Sequence, residues 1–469
     1  MRRWARPLAI AQVVLLTWAP LPARAQSVVA LTPALSAKID GLASTQVHAG
    51  RTVGLAVGVV EDGRLVYARG FGFANLTPHA AMMPDTEFYV GGLTMQFTAA
   101  AILLLAQDGK VHLDDRVSRF VPEFRLAANV TVGQLLTQTS GLPQVTRMPG
   151  ISSDFTHSIK LSDIFAALDR RVATPAPSGA YENNPLNYLV AGLVVERASG
   201  VPLSDYLQQH IFIPLVMNHT FLAGDSGIAP TRAVGYTHGG RGFRVAPAWD
   251  PSWLGGYAGL VSTIYDLAKW QIEMPILLRV DAMRTMLTPS AKSGPTNYGM
   301  GWVIDRRGGK DFVWSNGEIS GYRAMSALLP EQHVGVIVLS NADSLHGGPV
   351  TVPEELGAEI LDVLVPPTTA RLDNATVARA KEWLERLASR RIDRSEITPE
   401  FSAYLTDDLI AKENVAALGP LQSIVPLSSE TEPDGDTRYE FLVRYPRAKY
   451  HYTFELAPDG KVDGLQLSA

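Results

Sequence analysis

The kinds of side chain able to do chemistry in this 469-residue chain are few. There is no cysteine, which excludes thiolate nucleophiles, Cys-based metal sites and a lipid-bearing N-terminal cysteine. The ten histidines show no HExxH or comparable spacing, so neither a metal nor any other cofactor is expected. What remains for covalent chemistry are hydroxyl nucleophiles, with carboxylates as candidates for acid-base work. The stretch "FYVGGLTMQFTAAAILLL", from Phe88 to Leu105, has the pattern of a helix that opens an active site, but its aliphatic hydroxyls are Thr94 and Thr98, with no base evident for either. No serine occurs between Ser44 and Ser118 and no lysine between Lys38 and Lys110.

The elements that would position such groups alternate along the chain. "TPALSAKIDGLASTQV" from Thr32 has a capping threonine followed by proline, the usual opening of a helix. Two β-rich runs around Asp62-Gly63 predict a hairpin. A helix-rich middle extends from about Gly91 to about Trp270, followed by strand-like runs at "YGMGWVID", "DFVWS", "YRAMSALL" and "VGVIVLSN" and a helix near Pro353 to Leu364. Strands at both ends with helices between predict one antiparallel sheet assembled from the two ends of a domain. "VPPTTARLDN" around Pro366 reads as a linker. Beyond it, helices at Ala375 to Arg390 and Thr398 to Leu418 precede four strand-like runs around "PDGD" and "PDGK" turns.

Residues 1–25 carry Arg2, Arg3 and Arg6 before an apolar run from Leu8 to Trp18, and end in "ARA", the pattern of a secretory signal peptide cleaved before Gln26. The expected boundaries are therefore 1–25 signal peptide, 26–366 main domain and 367–469 accessory domain, with the mature protein exported to the periplasm or secreted. Cleavage removes four arginines and no acidic residue, taking the formal charge from −5 to −9. Such a surface argues against nucleic acid as a partner. No later stretch is long and apolar enough to span a membrane.

Six segments, in order, resemble the serine β-lactamase and penicillin-binding-protein superfamily, in particular its branch of class C β-lactamases, D-alanyl-D-alanine carboxypeptidases and esterases. They are "FYVGGLTMQFTAAAILLLAQDGKVHLDDRVSRFVPEF", "VTVGQLLTQTSGLP", "NYLVAGLVVERASGVPLSDYL", "AGLVSTIYDLAKW", "YGMGWVI" and "SNGEISGYRAMSALLPEQHVGVIVLSNAD". The resemblance implies an α/β (α+β) fold: a β-lactamase/transpeptidase-like antiparallel sheet flanked by helices plus a helical region, followed here by a small α+β C-terminal domain. It also implies a serine at a helix start and a lysine one turn on, a Tyr-x-Asn or Ser-x-Asn element on a facing loop, and a strand bearing Lys/His-x-Gly beside the oxyanion site.

This sequence departs from each element. The serine position falls on Gly92 and the lysine position on Met95, which has a lysine's length but no titratable nitrogen and is expected to pack as an apolar floor. "PSGAYENNPLNY" aligns without gaps so that the Tyr-Ser-Asn slot reads Asn183-Asn184-Pro185; a rival reading with two inserted residues keeps Tyr181-Glu182-Asn183 as Tyr-x-Asn. The third element reads Ser315-Asn316-Gly317, with the basic residue lost and the glycine kept, which leaves the strand edge open for backbone approach. Ser140 in "TQTSGLP" and Ser262 in "LVSTIYD" match turn and helix-cap positions of the fold.

Losing a nucleophile costs a serine protease on the order of a million-fold in turnover. The reading that follows is a catalytically inactive homologue whose cleft or surface binds a peptide, a glycan fragment or a partner protein. Two alternatives stand beside it: an enzyme using Glu182 and Glu318 for non-covalent acid-base chemistry, and a residual serine hydrolase of the β-lactamase, carboxypeptidase or esterase type. On the first reading, Gly92→Ser with Met95→Lys is expected to return some ester hydrolysis.

Overall fold

The computed structural model describes residues 30–145, 155–171, 179–223, 231–239, 242–293, 296–343, 351–432, 434–446 and 449–468. The segment expected to be cleaved, 1–25, lies outside the described residues. Two compact units emerge: residues 30–306 with Asp311–Pro366, and Pro367–Ser468 with Arg307–Lys310.

In the larger unit, helix α1 (Pro33–His48) starts where the sequence predicts, with the Thr32 hydroxyl accepting the Leu35 N–H at 3.3 Å and proline in the first turn. Strands β1 (Gly54–Glu61) and β2 (Arg64–Asn75) follow, joined by Asp62 and Gly63 at φ 48° and 71°, the backbone that a two-residue hairpin loop requires. The short β3 (Ala80–Ala81) completes this edge. The helical region contributes α2 (Thr94–Gln107), α3 (Val132–Leu136), α4 (Leu161–Arg171), α5 (Pro185–Ser199) and α6 (Ile264–Leu277). The chain then returns as β4 (Ala291–Ser293), β5 (Thr296–Tyr298), β6 (Val303–Arg307), β7 (Lys310–Ile319), β8 (Tyr322–Leu329) and β9 (Val334–Ser340), and closes with α7 (Val352–Leu364).

Among the described residues, nine strands form one sheet in the order β3-β2-β1-β9-β8-β7-β6-β5-β4. The two ends of the domain meet at its centre, where β1 runs antiparallel to β9 from Leu55↔Ser340 to Glu61↔Val334. This is the predicted mixed α/β architecture with an antiparallel sheet. Alternate residues of the central strands serve two cores. Ala56, Val60, Ala324, Ile337 and Leu339 join the helical region, while Leu55, Val57, Val59, Val336 and Val338 pack with Ile39 and Ala43 of α1 and Leu356 and Ile360 of α7. Helix α2 is buried on nearly every side, as an apolar helix at the centre of a domain must be.

The middle is helix-rich as expected, with short strands at Phe221–Leu222, Tyr236–Gly239, Gly242–Val245 and Leu260–Ser262, too brief to leave a period in the sequence. One expectation needs correction. "YGMGWVID" is not one strand. It breaks between β5 and β6 because Gly301, at φ 79°, brings the chain so near α2 that a Cβ there would lie 2.8 Å from the Gln96 Cα.

The smaller unit contains α8 (Asn374–Ser389), α9 (Pro399–Tyr404) and α10 (Asp407–Glu413), then β10 (Ser423–Thr431), β11 (Thr437–Arg444), β12 (Lys449–Leu456) and β13 (Val462–Ser468) as an antiparallel meander. Its core gathers Trp383, Leu384 and Phe401 from the helices and Phe441, Val443, Tyr452 and Phe454 from the strands, all buried. Arg438 is buried as well and lies between Glu440 and Glu455, at 3.6 and 3.5 Å, the pairing that a buried guanidinium requires. Among the described residues no helix is long and apolar enough to cross a membrane.

Candidate functional site

The site is built around the turn that leads into α2. Gly91, at φ 52°, opens a short 3₁₀ turn over Gly91–Leu93. The Thr94 hydroxyl donates to the Gly91 carbonyl at 2.7 Å and accepts the Leu260 N–H at 3.0 Å, so it fastens the turn rather than facing the cleft. Thr98 donates to the Gly256 carbonyl at 2.8 Å. Both hydroxyls are committed to backbone.

Strand β7 presses on this turn. A Cβ added to Gly92 would lie 2.8 Å from the Asn316 carbonyl oxygen, and one added to Gly317 would lie 1.8 Å from the Val90 carbonyl oxygen. The strand edge that Gly317 was expected to leave open is therefore filled by the chain's own backbone. Asn316 is held from the other side, donating through Nδ2 to the carboxylate of Glu354, which also accepts the Thr351 N–H at 2.9 Å at the start of α7. The expectation that Gly92→Ser with Met95→Lys returns hydrolysis meets this obstacle: the serine Cβ has no room unless β7 moves.

Met95 sits where the resemblance places a lysine, buried in the main core. Its sulfur is 3.6 Å from the Gln138 Nε2 and 4.0 Å from the Tyr298 hydroxyl. Gln138 is the centre of an amide network. Its Nε2 donates to the Asn183 Oδ1 at 3.3 Å, and its Oε1 accepts from the Asn187 Nδ2 at 2.6 Å and the Asn184 N–H at 3.1 Å. Ser140 donates to the Asn187 Oδ1 at 2.5 Å and accepts the Leu142 N–H at 3.1 Å. Gln138 holds φ 59°, a left-handed backbone that costs a non-glycine residue about 1–2 kcal/mol, offset here by those bonds. Burial and the neighbouring Tyr188 hydroxyl hold the Tyr298 phenol well above its ordinary range, so it stays neutral and supplies no phenolate base.

Both readings of the second element reach the Met95 position. Asn183 does so through Gln138, and Tyr181 through Tyr298, whose ring lies 5.0 Å from its own. Asn184 caps α5, accepting the Leu186 N–H at 3.0 Å, and Pro185 opens that helix. Glu182 is exposed, with its N–H donating to the Gln138 carbonyl at 2.9 Å. Glu318 is also exposed and forms an ion pair with Arg323 across the β7–β8 pair. Ser315 is buried on β7. Ser262 is not itself the helix cap: it ends a strand and hydrogen-bonds the Thr220 hydroxyl at 2.8 Å, while Thr263 caps α6. Among the described residues no group of three or more His, Asp or Glu side chains is arranged to hold a metal.

Gln138, Asn187, Tyr298 and Tyr257 are the site residues that sequence reasoning missed. The only signal for Gln138 was its place in "TQTSGLP", two residues before the serine that drew attention. Beside Asn183 opens a cavity of about 170 Å³, lined by Gln144, Asn183, Pro185, Trp249, Trp253 and Tyr257 among others. Asp250 fixes one wall, its Oδ1 accepting the Ser252 hydroxyl at 2.6 Å and the Ser252 N–H at 3.0 Å ahead of Trp253. These bonds, the hydroxyl first, hold its carboxyl below the usual range. With a lowered folded pKa, the stabilisation is fully present above the ordinary Asp value of about 3.9 and is lost as pH falls through the lowered value. Acid titration of tryptophan fluorescence should show a step in that window that Asp250→Asn, which can still cap the turn, removes.

The Beta-lactamase family model matches residues 39–355. Protein flp of Staphylococcus aureus (strain MW2) is 26% identical over 319 residues, covering 66% of this chain and 63% of that protein, so the match spans less than two thirds of that relative's length. Among solved structures, D-amino acid amidase from Ochrobactrum anthropi SV3, complexed with D-phenylalanine, superposes with a TM-score of 0.63 at 25% identity, covering 71% of this chain and 99% of that one. The octameric penicillin-binding protein homologue from Pyrococcus abyssi superposes with a TM-score of 0.62 over 92% of this chain and 99% of its own; at 22% identity it speaks for the fold alone.

Proposed function

Because this chain belongs to the β-lactamase family and yet carries Gly92 and Met95 where the family resemblance calls for serine and lysine, we propose that it is an exported, non-acylating member that uses its cleft to bind a ligand or partner. The observation that carries this reading is the packing at Gly92: the space a nucleophile's Cβ would need lies 2.8 Å from the Asn316 carbonyl oxygen. Met95 supports it, since a thioether among an amide, a phenol and apolar side chains accepts no proton from an attacking hydroxyl. The exposed positions of Glu182 and Glu318, the latter already paired with Arg323, lend nothing to acid-base catalysis. Export rests on the pattern in residues 1–25.

Intact-mass spectrometry after incubation with a fluorophosphonate and with a labelled penicillin tests the reading. The native protein is expected to return unmodified. A stoichiometric adduct on any serine or threonine would overturn the proposal and locate the nucleophile.

A further inference from the structure

We propose that the cavity beside Asn183 is an anchor for one neutral aromatic ring, of benzyl size, on the ligand of this cleft; the assignment rests on the reading of the cleft as a binding site. The size is the first argument. An apolar cavity of about 150 Å³ is enough to take up benzene, and this one measures about 170 Å³, room for a single ring and its first substituent atom.

The walls are the second. Phe155 and Trp249 stack at 4.4 Å and 17°, and Trp253 meets Phe155 edge-on at 5.0 Å and 76°. These rings, with Pro185 and Leu189, offer faces and edges at the geometries that aromatic groups favour.

The third argument is what the lining lacks and what its polar groups already do. Among the described residues no charged side chain lines the cavity. The Trp253 indole N–H donates to the His157 carbonyl at 2.9 Å, the Gln144 Nε2 to the Asn183 carbonyl at 2.7 Å, and the Asn183 Oδ1 accepts from Gln138. The Tyr257 phenol, like any tyrosine with an ordinary pKa of about 10, is uncharged at neutral pH, and burial first, with Glu318 second, pushes it further up, to about 12. A carboxylate or ammonium entering here would lose its hydration without a counter-charge, a loss that an aromatic hydrocarbon ring does not suffer. Asn183 forms part of the lining and also accepts from Gln138, whose Nε2 lies 3.6 Å from the Met95 sulfur, so the cavity adjoins the amide network of the site.

The test is titration of the full chain with benzyl alcohol, followed by ligand-observed NMR and tryptophan fluorescence, with glucose and benzoate as comparison probes. Saturable binding of benzyl alcohol in about the millimolar range, the strength a ligand of eight heavy atoms can reach, with benzoate and glucose at least about tenfold weaker, is the expected result. Trp249→Ala, at a partly exposed position, should weaken benzyl alcohol about tenfold, and Leu189→Phe, which fills the cavity from a different wall, should do the same. Absence of saturation in the native chain, equal affinity in both variants, or preference for glucose would overturn the assignment. Ring binding seen together with a fluorophosphonate adduct would support the anchor while overturning the non-acylating reading, so the two stand or fall separately.

Discussion

Gly92→Ser with Met95→Lys is expected to lower stability by at least about 3 kcal/mol and to gain no acyl-enzyme with a fluorophosphonate or a penicillin. Overpacking a tight site costs about 1–3 kcal/mol, and here the atom in the way is a backbone carbonyl of β7, held by its own ladder to β8 and by the Asn316 to Glu354 bond. Lysine adds a second cost. At a position 7% exposed, facing an amide and a neutral phenol, its ammonium has no carboxylate partner, so burial drives it toward the neutral form. Denaturant unfolding of both single variants and the double variant measures the loss. A double variant as stable as the native chain and labelled stoichiometrically would mean that β7 yields easily and that the closed geometry is no bar to acylation.

Gln138→Leu is expected to cost about 2–6 kcal/mol, because it strips the acceptor from two buried donors, the Asn187 Nδ2 and the Asn184 N–H, each costing about 1–3 kcal/mol when left unpaired. Asn187→Ala should cost less when added to Gln138→Leu than on its own, since the Nδ2 left unpaired by the first change is removed by the second, and a double-mutant cycle should return a coupling of about 0.5–3 kcal/mol. Additive losses, or a Gln138→Leu loss below about 1 kcal/mol, would show that the network does not hold the loop before α5. Ligand affinity in the neighbouring cavity should fall with the same variant, since Gln138 orients Asn183 at its edge.

Much of the fold was legible because its signals are local. Thr32 and Pro33 mark a helix start by capping chemistry, Asp62-Gly63 marks a hairpin by the φ values its turn needs, and the β-rich runs at either end of the domain predict a shared sheet. The missing serine and lysine are equally plain, since an absent atom needs no geometry to recognise. The arrangement around them was not legible. Tyr298 lies 203 residues from Met95, and no local pattern announces their meeting. Gln138 adopts a backbone that glycine or asparagine would have advertised, but a glutamine does not. Gly317 was visible as a strand glycine, yet whether a ligand or the chain itself would occupy the space beside it depends on the packing of Val90, far away in sequence. The cavity draws on residues from Gln144 to Tyr257, across several elements and turns, so its shape exists only after folding.

The central pairing of the large sheet sets a timetable for the molecule's birth. Glu61 finds its partner in Val334 and Leu55 in Ser340, so the hairpin made first waits with one edge bare while roughly 270 residues follow it. At about 5–20 residues per second, a ribosome takes on the order of 15 to 55 seconds to deliver that partner. Throughout this interval the apolar strand β1 is a template for pairing with any other chain. The same delay keeps the domain from closing before its last strands are made, so β1 stays open on that edge until β9 arrives to cover it.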